Sequence, residues 1–95
     1  MTTVLINHRV ADYEAWRPEF DRAMESDWTG DIRSYQGLRG QDDPNRILVT
    51  QTFDSREAAE AFMNNEALRD AMGRAGVEES SVQIEYLDEV GAGKR

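Results

Sequence analysis

Phe53-Asp54-Ser55-Arg56-Glu57-Ala58-Ala59-Glu60-Ala61-Phe62-Met63-Asn64-Asn65-Glu66-Ala67-Leu68-Arg69-Asp70-Ala71-Met72 is the stretch whose reading decides the fold. A strand ends in it and an amphipathic helix begins. Ser55 stands where an N-cap belongs, since its hydroxyl can accept a bond from an otherwise unpaired backbone N–H, and Glu57 in the first turn faces the positive end of the helix dipole. Ala58, Ala59, Phe62 and Met63 follow at helical spacing and form one apolar stripe. Asn64-Asn65 offers a second cap, after which Leu68, Ala71 and Met72 continue the apolar face until Gly76 stops it. The pattern predicts a kinked or two-part helix.

Working outward, Arg46 to Phe53 is the strongest strand in the chain. It pairs as a hairpin with a weaker strand over residues 32–39, through a polar turn of about five residues around Asp42-Asp43-Pro44-Asn45. That turn has oxygen ligands but lacks the spacing and closing Glu of a calcium loop. At the N-terminus Val4, Ile6, His8 and Val10 alternate with Leu5, Asn7 and Arg9 as a first strand. Asp12 then caps a helix bearing Tyr13, Trp16, Phe20, Ala23 and Met24 at spacings of three and four, interrupted by Pro18 and expected to end near Asp27. Val82, Ile84 and Tyr86 alternate with Gln83, Glu85 and Leu87 in a last strand. The order βαββαβ predicts an α+β, ferredoxin-like sandwich, an antiparallel sheet with both helices on one face. One domain is expected over residues 1–90, with Gly91 to Arg95 as a flexible tail. Because both residue sets of the outer strands include apolar members, the uncovered sheet face is expected to bury itself against a second copy in a homodimer.

Composition narrows the function. Charged residues make up 32% of the 95, and 19 acidic against 11 basic residues give a net charge of −8. This repels phosphate backbones and anionic bilayers, so no nucleic acid or membrane partner is expected. There is no cysteine, which excludes disulfides and thiolate chemistry and suits a cytoplasmic protein. The start Met1-Thr2-Thr3-Val4-Leu5-Ile6 lacks the basic start and long apolar core of a secretory signal, and no run approaches the ~20 apolar residues of a membrane span.

The βαββαβ order, the strand Val4-Leu5-Ile6-Asn7-His8-Arg9-Val10 and the stretch Phe53 to Met72 together resemble the dimeric α+β barrel superfamily, specifically antibiotic-biosynthesis-monooxygenase-like domains. The likeness runs over roughly residues 3 to 90. It implies a ligand pocket between sheet and helices in each subunit. Cofactor-free oxygenases of aromatic polyketides and quinols, haem-degrading enzymes and proteins without known activity all belong to this superfamily. The haem-degrading members use an Asn on the first strand, a Trp on the second helix and a His near that helix's end. Asn7 matches the first, but Phe62 and Met72 fall at the other two places. A phenyl ring neither replaces the Trp nor does a thioether replace the imidazole that holds the iron.

His8, the sole histidine, is the candidate catalytic residue, since it can hydrogen-bond a phenol or quinone oxygen or move a proton near neutral pH. Asn7, Trp16, Tyr35, Phe62 and Tyr86 are candidate ligand contacts, although helical spacing more often means core for Trp16 and Phe62, and Tyr35 and Tyr86 on strands carry a similar discount. Asn7 and His8 are consecutive in a strand and point to opposite faces. The resemblance places Asn7 toward the pocket; the apolar company of Val4, Ile6 and Val10 places His8 there. No metal site and no cofactor are expected. The leading reading is a cofactor-free monooxygenase of a small aromatic or polyketide-like substrate, and the alternative is a non-catalytic ligand-binding or accessory dimer of the same fold.

Overall fold

The structure is a computed structural model describing residues 1–95. It contains β1 (Thr2–Arg9), α1 (Tyr13–Met24), β2 (Ser34–Arg39), β3 (Arg46–Phe53), α2 (Arg56–Met63), α3 (Glu66–Arg74) and β4 (Gln83–Leu87), with short 3-10 turns at Asp27–Thr29 and Glu79–Ser81. The sheet is antiparallel throughout, in the order β2-β3-β1-β4. This is the ferredoxin-like arrangement expected from the element order.

The central stretch divides as its caps dictate. The Ser55 hydroxyl accepts from the Ala58 N–H, and the Asn65 side chain accepts from the Ala67 N–H, so one helix closes at Met63 and a second opens at Glu66. Gly76 ends the second helix in the left-handed region, with φ +77°. Its N–H donates to the Gly73 carbonyl and the Val77 N–H donates to the Met72 carbonyl, the two bonds of a Schellman closure. In α1, Asp12 caps the Glu14 N–H and Pro18 lies inside the continuous helix on its exposed side. The helix stops at Met24 instead of near Asp27. Ser26 Oγ donates to the Arg22 carbonyl and Thr29 Oγ1 to the Ala23 carbonyl, which satisfies the last turn early and redirects the chain into the 3-10 turn. β2 starts at Ser34, two residues later than expected, because Ile32 turns inward to pack on the core.

Period-two alternation sorts the sheet into two faces. Val4, Ile6 and His8 of β1, and Ile47, Val49, Gln51 and Phe53 of β3, are buried beneath the helices. Two apolar clusters result. Val4, Ile6 and Phe53 pack with Ala59, Phe62 and Leu68 of α2 and α3. Val10, Ile47 and Val49 pack with Trp16 of α1 and Ala75. The opposite face carries Leu5 and Leu48, half-buried, and Leu38 and Leu87, which are 49% and 40% exposed.

Of the opposite charges four residues apart on the helices, Arg17 pairs with Asp21 and Arg56 with Glu60, while Arg74 does not pair with Asp70. Arg74 instead reaches Glu19 at 3.7 Å, linking α3 to α1.

Candidate functional site

A narrow cavity of about 60 Å³ lies between the two apolar clusters. Ile6, His8, Val49 and Gln51 form its sheet side, Trp16, Phe20 and Met24 of α1 one wall, and Leu68, Ala71 and Met72 of α3 the other, with Trp28 closing one end of the helix layer. Twelve of its 15 lining residues are hydrophobic, so His8, Gln51 and Glu19 supply all its polarity. The Arg74–Glu19 pair spans the gap between α1 and α3 at this wall.

His8 is 4% exposed, and neither of its ring nitrogens has a hydrogen-bond partner. Its ring lies 6.1 Å from that of Trp16, tilted by 51°, and Trp16 stacks on Phe20 at 4.7 Å. Burial pushes the imidazole pKa below its ordinary value of 6.5, and the Ile6 backbone, near but not in normal hydrogen-bond geometry, opposes this in part. The ring is therefore neutral at pH 7, one nitrogen a donor and the other an acceptor. Because the folded pKa is the lower one, the native state binds fewer protons than the unfolded chain as pH falls through 6.5. Stability is then full above about pH 7 and declines below 6.5, toward the depressed folded value. Thermal unfolding followed from pH 8 to 5 is expected to show this decline in the wild type and a smaller one in His8→Phe. An identical pH dependence in the two proteins would contradict it.

Of the residues singled out from the sequence, His8 and Trp16 line the cavity. Phe62 is 5% exposed and sits behind it, 5.3 Å from Phe53 and stacked on Trp28 at 5.7 Å, so that it supports the wall without reaching the space. Tyr35 lies on the β2 edge, 53% exposed, with its ring edge against Phe20 at 5.8 Å. It borders a separate pocket of about 190 Å³ with Tyr13 and Arg39. Tyr86 is on the helix side of β4 under the Arg56 guanidinium, 4.5 Å from ring centre to Cζ, and does not line the cavity. Asn7 lies on the opposite sheet face, where its amide approaches Gln83 and Arg46 at 3.4 and 3.5 Å. The placement of Asn7 toward the pocket is thus corrected: no bulge interrupts β1, and the alternation that points His8 inward points Asn7 out. Met72 does face the cavity, so Asn7 and Met72 are on different sides of the sheet and the positions tested for haem degradation do not converge.

Gln51 was not singled out by sequence reasoning. It is 2% exposed with its Oε1 unpaired. Its signal was present in the sequence, a polar residue at the same parity as Ile47, Val49 and Phe53 in the strongest strand. Trp28 carries no such signal, since nothing in the local sequence marks that the 3-10 turn folds it back against Phe62. No group of three or more His, Asp or Glu side chains is placed to hold a metal ion.

The same architecture occurs in solved structures. SnoaB from Streptomyces nogalater, a cofactor-independent oxygenase, superposes with a TM-score of 0.75 over 96% of this chain and 94% of its own, at 11% identity. A candidate antibiotic biosynthesis monooxygenase from Nitrosomonas europaea gives 0.74 over 96% and 100%, at 16% identity. Another from Chloroflexus aurantiacus gives 0.68 over 99% and 98%, at 20% identity. The fold is that of the antibiotic biosynthesis monooxygenases. No protein-family model matches the sequence, and no curated protein matches it either. At these identities the likeness is one of fold.

Proposed function

We propose that the protein is a cofactor-independent oxygenase of a small phenolic or polyketide-like aromatic, with His8 as its proton acceptor. The observation that carries this reading is a neutral, unpartnered imidazole buried in a predominantly aromatic and aliphatic cavity. A satisfied core histidine would have a partner. In such chemistry the substrate supplies the electrons. His8 takes a proton from a phenol or an activated ring CH₂, the resulting electron-rich anion reduces O₂, and a CH₂ plus O₂ becomes C=O plus H₂O. The protein contributes orientation between ring-shaped walls, exclusion of water, and the base. The free volume holds roughly four waters, so a flat ring enters by displacing Met24 and Met72, whose unbranched thioethers repack readily.

Oxygen uptake with a panel of anthrones and dihydroxynaphthalenes tests the reading. Consumption above the uncatalysed rate is expected with at least one of them. Tight binding without consumption across the panel would favour a ligand-binding or accessory role of the same fold.

The outer sheet face completes the functional unit in this proposal. Leu5, Leu38, Leu48 and Leu87 stand among Thr3, Asn7, Gln36 and Thr50, an apolar centre with a polar surround, and a second copy covers it as two sheets pack face to face. Sedimentation at micromolar concentration is expected to give a dimer, and Leu48→Arg a folded monomer. A wild-type monomer would remove this part of the proposal.

A further inference from the structure

Two buried polar groups in the cavity lack partners, and they lie far apart. His8 is opposite Ile47 in the β1–β3 register, and Gln51 is opposite Val4, four residues further along β3. At about 3.3 Å per residue the two positions are separated by roughly 13 Å along the sheet. Between them the floor is Ile6 and Val49, which offer no polar atom. The Gln51 Oε1 is sealed from solvent without a bond, and its strand neighbours cannot serve it, because their backbone groups are engaged in the ladder. Leaving such an amide unsatisfied is unfavourable, and leucine or methionine at this position would fill the same space without that cost. Only a molecule inside the cavity can reach both it and the imidazole.

We infer that Gln51 is a second polar anchor and that the ligand is a flat aromatic carrying hydroxyl or carbonyl oxygens at opposite ends, one on His8 and one on Gln51. A hydroxyl suits an amide in either orientation, since it donates to Oε1 and accepts from Nε2. Trp16 stacked on Phe20 forms one wall, Leu68, Ala71 and Met72 face it from α3, and Trp28 closes the end, a slot that suits a flat ring system. Gln51 is a positioning and specificity residue. It transfers no proton and performs no chemical step, but it decides which end of the ring system meets His8.

The inference rests on the cavity being the ligand site of the proposed function, and its test is a binding measurement made without oxygen. Quenching of Trp fluorescence is followed with two probes, a naphthalene diol with hydroxyls on opposite rings and the corresponding mono-hydroxynaphthalene. Wild-type protein is expected to bind the diol about tenfold more tightly or better, because the mono-ol leaves a buried polar group unpaired. In Gln51→Leu the preference is expected to fall to about one, with affinity for the mono-ol retained and the unfolding temperature raised. Gln51→Met, unbranched and of similar reach, repeats the measurement should leucine disturb β3. A preference that survives in a folded Gln51 variant, or none in the wild type, overturns the inference. Discrimination that depends on Gln51 without oxygen consumption in air would sustain it while removing the oxygenase reading. Consumption of oxygen without the diol preference would do the reverse.

Discussion

His8→Phe is expected to lower the rate of oxygen consumption by about 10²–10⁴-fold, the usual contribution of a positioned general base, while making the protein more stable. The two effects have one cause. Phenylalanine presents a planar ring somewhat larger than the imidazole, and the adjoining cavity gives it room beside Ile6 and Trp16. It also removes two buried nitrogens that have no partners. Relief of such groups is worth about 1–3 kcal/mol, or several degrees in unfolding temperature for a domain of this size. A histidine kept for structure would show the opposite stability change, because its loss would break bonds. Loss of uptake together with a higher unfolding temperature therefore identifies a residue retained for chemistry. Full uptake in His8→Phe would sink the assignment of His8 as base, whatever the stability.

The largest effect on folding is expected from Phe53→Ala. Phe53 has no exposed surface, ends β3 at the N-terminal edge of the α2 cap, and packs against Val4 and the Phe62 ring. Removing a fully buried phenyl costs about 3–5 kcal/mol through lost transfer energy and the cavity left behind. Typical domains have only about 5–15 kcal/mol in total, so the variant sits close to unfolding at 37 °C. Calorimetry is expected to show the midpoint lowered by roughly 15–30 °C. The damage reaches the site as well, since Phe62 loses its backing and Trp28, stacked on Phe62, loses its fixed place in the cavity wall. A midpoint lowered by less than about 5 °C would mean that neighbouring side chains collapse into the space and that the core is more plastic than its packing indicates.

The stretch Phe53 to Met72, read alone, determined the two-part helix, because caps and apolar spacing act within a few residues. Ser55, Asn65 and Gly76 each act on their own backbone neighbours, and such signals survive without any tertiary context. Strand alternation likewise determined that Asn7 and His8 part company. It could not decide which of them faces the ligand. That depends on which sheet face the helices cover, and a resemblance at the level of motifs pointed the wrong way. Packing decided it: the face with Val4, Ile6 and Val10 buries far more apolar surface than the face with Leu5 and Asn7, so the helices cover the former and carry His8 inside.

The site itself was legible only in part. His8 and Trp16 could be named from type and position. Gln51 and Trp28 could not, since their meaning comes from contacts between segments distant in sequence. A glutamine in a strand is unremarked until a sheet and two helices close over it, and a tryptophan after a helix is a loop residue until Ser26 and Thr29 fold the chain back toward Phe62. The sequence by itself determined the order of elements, their caps and the composition of the core, because these follow from local propensity and periodicity. Only the tertiary structure decided which two unpartnered polar groups share a cavity, because burial without a partner is a property of the assembled layers and not of any segment within them.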